Sequence, residues 1–158
     1  MEKTDASSEI LQLVSFTIGH EEFGVDILKV QEINRMIEIT QVPNSPEFVD
    51  GVINLRGRVI PVISLRKKLG LDRIDHDRNT RIIVVDLSGK TIGFIVDSVS
   101  EVLRIPRNIT EPPPAIATGV NSDYITSIAR LEDRLLILLD LEKTLLGDEK
   151  KELQALMS

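Results

Sequence analysis

The sequence predicts a mainly β protein in which two small five-stranded β-barrels pack on a shared hydrophobic core, with short helices and a C-terminal helix. Two observations lead to this fold class. Aromatic residues make up only 3% of the chain and tryptophan is absent, so isoleucine, valine and leucine must fill the core, which favours small sheets or barrels. In addition, short strand patterns are duplicated within the chain, and each copy is too small to bury a full core alone.

Composition narrows the classes of function. Across 158 residues the net charge is −6 and cysteine is absent. These values argue against a nucleic-acid footprint over the whole surface, and they exclude disulfides, thiol catalysis and thiolate metal sites. The start of the chain, MEKTDASSE, lacks the apolar stretch of a secretory signal, and runs such as Leu135–Leu139 are far too short to span a bilayer. We therefore expect a soluble, cytoplasmic protein.

The first half of the chain has the pattern of short strands separated by turns. Residues 1–9 are polar and are expected to be disordered. Within Asp26–Arg35 the apolar spacing is three and four, which predicts a short helix or a tight extended turn, and Glu47–Asp50 is predicted to form one helical turn. The predicted strands are Ile10–Ile18, Phe23–Ile27, Ile37–Val42, Val52–Leu55 and Val59–Ile63.

The most informative stretch runs over residues 51–71, GVINLRGRVIPVISLRKKLGL. Gly57 supplies the backbone freedom of a tight structural turn, with Asn54 beside it, so the flanking strands can pair as a hairpin. Arg56 and Arg58 stand at the tip, where Asn-Gly alone would close the turn. Two guanidinium groups there indicate contact with an anionic or carboxylate-bearing group, inside the molecule or outside it.

A short helix is predicted directly after this hairpin. Ser64 can cap its N-terminus and Gly70 its C-terminus. On this helix Arg66, Lys67 and Lys68 are expected to face water.

The second half repeats the same plan. Residues 108–118 contain three consecutive prolines, which predicts an extended segment that crosses the surface. Asp140 is predicted to cap a short helix that holds Leu141 and Leu145, and residues 148–158 a C-terminal amphipathic helix. The predicted strands are Thr80–Leu87, Thr91–Val96, Tyr124–Leu131 and Arg134–Leu139.

The duplication consists of two stretches that recur at fixed offsets. Leu13–Ile33 aligns without gaps with Ile82–Val102, 69 positions on, and Arg58–Leu69 aligns with Arg134–Leu145, 76 positions on. Two subdomains of similar plan should leave a groove between them, which is a preferred place for partners to bind. For Val30 and Val99 the core and the groove are equally compatible with the sequence. The residues expected to approach the groove are Val30, Glu32, Ile33, Val99 and Val102.

The sequence lacks motifs for catalysis or for cofactor binding. It contains no GxSxG motif and no GxGxxG or GxxxxGK[ST] loop. His20 and His76 lie in polar turns without the spacing of a metal site, so we expect no metal and no cofactor. An enzyme would require that one of them meets a carboxylate pair in a pocket. A nucleic-acid-binding module is a further alternative, because of the basic hairpin and helix, but surface for base stacking is nearly absent.

Four blocks of sequence resemble the bacterial chemotaxis coupling proteins, the CheW family. The similarity runs from about Ile10 to Leu146, and the NLRG-x-x-x-P core is highly specific. Ser64 is a mild departure, because the family often carries an acidic residue there, but serine caps a helix equally well. The four blocks are EEFGVDILKVQEI (Glu21–Ile33), TQVPNSPEFVDGVINLRGRVIPVISLRKKLGL (Thr40–Leu71), GFIVDSVSEVL (Gly93–Leu103) and DRLLILLDLEKTL (Asp133–Leu145).

The resemblance implies SH3-like barrels and a non-enzymatic adaptor that couples the cytoplasmic tips of chemoreceptors to the histidine kinase CheA in membrane-associated arrays. It implies that the receptor tip, a helical hairpin, docks at the groove, and that the CheW-like regulatory domain of CheA pairs barrel to barrel with this chain. It implies no nucleic acid, no membrane insertion and no small-molecule substrate. By position, the receptor contacts are Val30, Glu32, Ile33, Arg56, Val99 and Val102, and the kinase contacts are Val42, Pro43, Asn44 and Gly51.

Two questions stay open at the level of sequence. Residues 10–147 are predicted to form a single domain of two interleaved subdomains, but the chain could also be the regulatory domain of a kinase or of a receiver-fused coupling protein. The natural-looking Met1 and the short terminal helix argue against such a fragment. The second question is whether Arg56 contacts a receptor carboxylate or pairs with Glu32 to support the fold.

Overall fold

The computed structural model describes residues 9–72, 74–113 and 124–144. The predictions for residues 1–8, for residues 114–118 of the proline segment, for Leu145 and for the helix over 148–158 therefore lie outside the described residues. The α-helix α1 is Leu65–Lys68, and 3-10 turns are formed by Ile27–Lys29, Arg107–Ile109 and Leu141–Thr144. The strands are β1 (Ile10–Ile18), β2 (Glu21–Asp26), β3 (Val30–Arg35), β4 (Val49–Leu55), β5 (Arg58–Ser64), β6 (Arg81–Leu87), β7 (Lys90–Val96), β8 (Ser98–Pro106), β9 (Thr110–Glu111), β10 (Ile125–Arg130) and β11 (Leu135–Leu139).

The strands form two sheets, and the predicted mainly β fold class is confirmed. The order β3-β6-β7-β5-β4 defines the first barrel, and the order β8-β1-β2-β11-β10-β9 defines the second barrel. The second barrel has a sixth strand because the two residues of β9 pair with the outer edge of β10.

The duplicated halves exchange a strand. The unit β1-β2-β3 recurs as β6-β7-β8, but β3 pairs antiparallel with β6 and β8 pairs antiparallel with β1. Glu32 lies opposite Val84, and its equivalent Glu101 lies opposite Ser15. Since each half supplies the third strand of the other, neither half can complete its barrel alone.

Gly24 and Gly93, which anchor the duplication, lie at the same crowded place in each barrel. Strand β7 pairs in parallel with β5, with Val62 opposite Gly93, and β2 pairs in parallel with β11, with Leu138 opposite Gly24. A Cβ atom at Gly93 would lie 2.8 Å from Cγ2 of Ile82, and one at Gly24 would lie 3.2 Å from Cδ2 of Leu138. Close approach of neighbouring groups thus explains why both copies keep glycine.

Apolar side chains form three clusters, one inside each barrel and one between them. The cluster between the barrels is the predicted shared core, and the rings of Phe16 and Phe23 stack there with centroids 5.8 Å apart. The first barrel encloses Ile53, Leu55, Ile60, Val62, Ile82, Val84 and Ile95, and the second encloses Leu13, Ile105, Ala129, Leu136 and Leu138.

The prediction for residues 26–35 is wrong beyond the turn, and strand β8 is missed entirely. The 3-10 turn covers only Ile27–Lys29, and Val30–Arg35 is strand β3, with alternating half-buried and exposed residues. Strand β8 was not predicted from the sequence SVSEVLRIP. Both strands pair with a strand of the other repeat, and such long-range pairing overrides the local apolar spacing.

The chain before the hairpin also differs from expectation. Ile37–Val42 is not a continuous strand; it makes a single bridge, in which Thr40 and Val52 exchange backbone hydrogen bonds of 2.8 and 2.9 Å. Strand β4 begins at Val49, so the helical turn predicted over Glu47–Asp50 is reduced to a simple turn at its start.

Candidate functional site

The tip of the β4–β5 hairpin is a two-residue turn. Arg56 has φ 52° and Gly57 has φ 84°, and the side chain of Asn54 accepts a 2.9 Å hydrogen bond from the backbone N–H of Gly57. Positive φ at both positions is the usual geometry of a hairpin turn, in which asparagine and glycine are the residues that fit without strain. Arg56 therefore occupies a conformation that costs a side chain of its size about 1 kcal/mol.

Arg56 pairs with Glu32, so the structure brings together two of the residues predicted to contact the receptor. The guanidinium donates to the Glu32 carboxylate, and the amide of Asn34 donates to the same carboxylate at 2.8 Å. The hydrogen bond from Arg56, and next the one from Asn34, holds the pKa of Glu32 below its usual value. The Arg56 side chain is 71% exposed, so it remains accessible while it is paired.

The four apolar residues predicted at the receptor surface divide into two groups. Val30 and Val99 are half-buried and pack against the shared core. Ile33 and Val102 are large apolar residues that remain 39% and 55% exposed, at equivalent positions on β3 and β8. The structure thus places an exposed apolar side chain on an outer strand of each sheet, Ile33 on β3 and Val102 on β8.

The residues predicted at the kinase surface are a loop, Val42–Asn44, and a glycine of β4, Gly51, that lies against the chain before the hairpin. Pro43 and Asn44 are exposed and Val42 is half-buried, whereas Gly51 is buried. A Cβ at Gly51 would lie 2.7 Å from Cγ2 of Ile39, and its φ is 151°. Gly51 therefore allows the chain before the hairpin to lie against β4, and it offers no side chain to a partner.

A second charged cluster, not predicted from the sequence, surrounds Arg134 beside the β10–β11 hairpin. Its guanidinium donates to Glu22 at 2.5 Å, to Asp133 at 2.9 Å and to Glu101 at 3.4 Å. Arg134 is the equivalent of Arg58 and Glu101 is the equivalent of Glu32. The pairing of these two is not repeated, because in the first barrel Glu32 pairs with Arg56 and Arg58 donates to Thr91.

The expectation that the basic face of α1 is turned to water is wrong for Arg66 and Lys68. Arg66 is half-buried and forms two hydrogen bonds with Asp97, of 2.9 and 2.8 Å. Lys68 lies 4.6 Å from the ring centroid of Phe48, and Lys67 donates to the carbonyl oxygen of Glu47 at 2.8 Å. These cations serve internal contacts, which weakens the nucleic-acid alternative.

Asp97 ties the two barrels together at the point where the chain crosses from β7 to β8. Besides Arg66, it accepts a 2.7 Å hydrogen bond from the N–H of Gly19, in the β1–β2 turn. Partial burial alone would raise the pKa of Asp97, but the hydrogen bonds from Arg66 and Gly19 outweigh it and lower the pKa below its ordinary value. The charged form is therefore the one that the fold stabilises.

We expect Asp97→Asn to lower the free energy of unfolding by about 1–2 kcal/mol, because it leaves Arg66 without its carboxylate in a pair still reached by water. A group with a lowered pKa contributes stability above its unfolded pKa, and the contribution is lost as pH falls through the folded pKa. The difference between wild type and variant in urea titrations should therefore shrink below about pH 4. Asp86→Asn, at an exposed β6 carboxylate, is the control, and an equal loss there would contradict the assignment.

The described residues were also compared with the geometry of a metal site and with the length of a membrane-spanning helix. Within residues 9–72, 74–113 and 124–144, no group of three or more His, Cys, Asp or Glu side chains is placed to hold a metal ion. His20 and His76 are both exposed. No helix in this part of the chain is long and apolar enough to cross a membrane.

Two interleaved barrels with an ion-paired, exposed hairpin tip define a protein-interaction module. The family described as the CheW-like domain matches residues 12–149. The chain is 41% identical to a chemotaxis protein CheW of Klebsiella aerogenes (87% of this chain, 83% of the relative) and 38% identical to one of Helicobacter pylori (92% and 88%). The crystal structure of the scaffolding protein TtCheW from Thermoanaerobacter tengcongensis superposes with a TM-score of 0.80 at 38% identity, over 86% of this chain and 92% of that one.

The chain belongs to the CheW-like domain family.

Proposed function

We propose that this protein is a chemotaxis scaffold that couples the cytoplasmic tips of chemoreceptors to the histidine kinase CheA. Family membership and the similarity to a solved scaffolding protein support the scaffold role. The observation that carries the coupling role is the Glu32–Arg56 pair, which holds a strained and exposed arginine at a hairpin tip. A side chain that only closed the turn would be asparagine or glycine.

The receptor tip binds the surface around this pair. Val30 and Val99 form its apolar floor, Ile33 and Val102 flank it, and Glu32 with Arg56 provides charges at one side. An amphipathic helical hairpin suits such a surface, because its apolar face meets the valines and isoleucine while polar groups meet the ion pair. Because Arg56 is already held by Glu32, its side chain loses little freedom on binding.

The kinase binds a separate face. We assign the regulatory domain of CheA to the loop Val42–Asn44, which Gly51 supports from beneath. With two faces occupied at once, a change in receptor geometry can alter kinase activity through differential contacts. The role is non-enzymatic and needs no cofactor or small-molecule substrate, and it places the protein in the cytoplasm at membrane-associated receptor arrays.

Residues 10–147 act as one interaction domain in this proposal, since strand exchange makes the barrels interdependent. The alternatives are less favoured. The relatives from Klebsiella aerogenes and Helicobacter pylori, of which this chain covers 83% and 88%, are chemotaxis proteins CheW. The basic helix that suggested nucleic acid is engaged in internal contacts.

We expect Ile33→Asp and Val102→Asp to weaken binding of a receptor-tip hairpin about tenfold each, because both remove apolar contact and bury a charge at the interface. Binding of the CheA regulatory domain should be unchanged. Calorimetric titration with the receptor-tip hairpin and with the CheA regulatory domain measures the two dissociation constants. The matched controls are Val59→Asp and Leu135→Asp, which are exposed apolar residues of β5 and β11. If the controls weaken receptor binding as much as the test variants do, the assigned surface is wrong.

A further inference from the structure

A second arginine, Arg58, stands beside the Glu32–Arg56 pair at the β4–β5 hairpin. It is the first residue of β5, and its side chain is exposed. Its guanidinium donates a 3.0 Å hydrogen bond to Oγ1 of Thr91, a buried residue of β7. Within the described residues Arg58 forms no ion pair, although Asp86 lies opposite Thr91 in the pairing of β6 with β7. The guanidinium is therefore held by a neutral acceptor, which leaves its charge uncompensated.

The duplication gives this contact an equivalent in the second barrel. The offset of 76 relates Arg58 to Arg134, and the offset of 69 relates Glu22 to Thr91. Arg134 donates to the carboxylate of Glu22 at 2.5 Å, in the place where Arg58 donates to a hydroxyl. The same arginine is thus neutralised in the second barrel and held without a counter-charge in the first.

The charge of Arg58 acts at the hairpin tip of the first barrel. Glu32 already accepts hydrogen bonds from Arg56 and Asn34, which hold its pKa below the usual value, and the nearby charge of Arg58 lowers that pKa further. Two guanidinium groups at this tip thus share one carboxylate partner. The first tip is suited to a further carboxylate, supplied by another molecule.

The hairpin tip of the second barrel has the opposite character. Arg134 meets three carboxylates there, those of Glu22, Asp133 and Glu101. Under the offset of 76, Glu132 takes the place that Arg56 has in the first tip. An acidic group is therefore attracted to the first tip and repelled at the second.

We propose that Arg58 is a further receptor-binding residue, which together with Arg56 binds an acidic side chain of the receptor tip. Thr91 is a positioning residue, because its hydroxyl holds the Arg58 guanidinium before binding and so reduces the freedom lost on binding. The inference rests on the proposed docking of the receptor tip at this surface. It adds to that proposal the charge of the group that is recognised and the barrel that recognises it.

Arg58→Gln tests the contact, because it removes the charge and keeps a polar side chain. In calorimetric titration with the receptor-tip hairpin, binding should weaken about tenfold, and the loss should shrink as salt is added. Arg58→Lys keeps the charge without the planar fork, so its loss should be about threefold. The matched control is Arg78→Gln, which removes the same charge from an exposed residue before the other end of β6 and should bind as wild type.

The positioning role of Thr91 is tested by two substitutions of similar size. Thr91→Val removes the hydroxyl that accepts from Arg58, so receptor binding should weaken about threefold. Thr91→Ser keeps a hydroxyl and should bind as wild type. If both variants weaken binding equally, the effect comes from packing of the buried side chain, and the positioning role is wrong.

A double-mutant cycle tests whether Arg58 touches a carboxylate of the receptor. Each acidic residue of the receptor tip is replaced in turn by its amide, and binding is measured with wild type and with Arg58→Gln. One replacement should weaken binding of wild type about tenfold and binding of the variant little further. If the two losses multiply at every acidic position, the proposal is overturned.

Two outcomes separate this inference from the proposed function. If wild type binds the receptor-tip hairpin and Arg58→Gln binds equally well, the role of Arg58 is wrong and the docking surface stands. If wild type does not bind the hairpin at all, the proposed function is wrong, and the role of Arg58 is wrong with it.

Discussion

Gly51→Ala is expected to lower the free energy of unfolding by about 3 kcal/mol or more, although it adds only one methyl group. The added Cβ would collide with the backbone oxygen of Thr40 and approach Cγ2 of Ile39 to 2.7 Å, and the φ of 151° disfavours any L side chain. Relief requires the Thr40–Val52 bridge to open, and the loop that carries Val42, Pro43 and Asn44 would then move. Thermal unfolding should show a decrease of roughly 6–12 °C.

Gly57→Ala is the matched control for this prediction. Its φ of 84° is also unfavourable for alanine, but no atom lies within 4 Å of the added Cβ. The loss should be about 1 kcal/mol, from backbone strain alone. Equal losses at the two glycines would show that collision with the Thr40 segment contributes nothing, and the assigned support of the loop would then be wrong.

Reversal of charge at the hairpin tip is expected to have the largest effect on partner binding. Arg56→Glu removes the pairing with Glu32 and places two carboxylates together, so receptor binding should weaken about tenfold or more. This single change cannot distinguish direct contact of Arg56 with the receptor from support of the fold through Glu32, because it disturbs both. The double variant Glu32→Arg/Arg56→Glu restores an ion pair of opposite orientation and separates the two.

If Arg56 meets a receptor carboxylate, the double variant should regain thermal stability while receptor binding stays weak. If Arg56 only supports the fold, both properties should return together, and the contact role is then excluded. Arg130→Glu is the control. Arg130 is similarly exposed and pairs with Glu111 at 2.8 Å in the second barrel, so its reversal should leave receptor binding unchanged.

The features that the sequence predicts well are local or repeated. The β4–β5 hairpin follows from the glycine at its turn and the apolar strands beside it, and Ser64 accepts the capping hydrogen bond from the Lys67 N–H, as expected. The duplication anticipated the shared core and the common plan of both barrels. Such features depend on neighbouring residues or on a pattern that occurs twice, so one sequence contains enough information.

The features that the sequence does not predict depend on long-range contacts. Strands β3 and β8 leave their own repeat to pair with the other, and nothing in the spacing of Val30–Arg35 indicates that exchange. The Arg66–Asp97 tie joins residues 31 positions apart. The Arg134–Glu22 pair spans 112 positions. The sequence alone does not indicate which of its many charged residues will pair when they lie so far apart along the chain.

If the protein couples receptor to kinase, it must bind both partners at the same time. Co-sedimentation tests this claim most directly. CheA is sedimented with membranes that carry chemoreceptors, in the presence of increasing amounts of this protein. We expect the amount of kinase in the pellet to rise as this protein is added, and to fall back when the Arg56→Glu variant replaces it. The Arg130→Glu variant should behave as wild type. Kinase that sediments equally with and without the protein, or that stays in solution at every concentration, would contradict the coupling role.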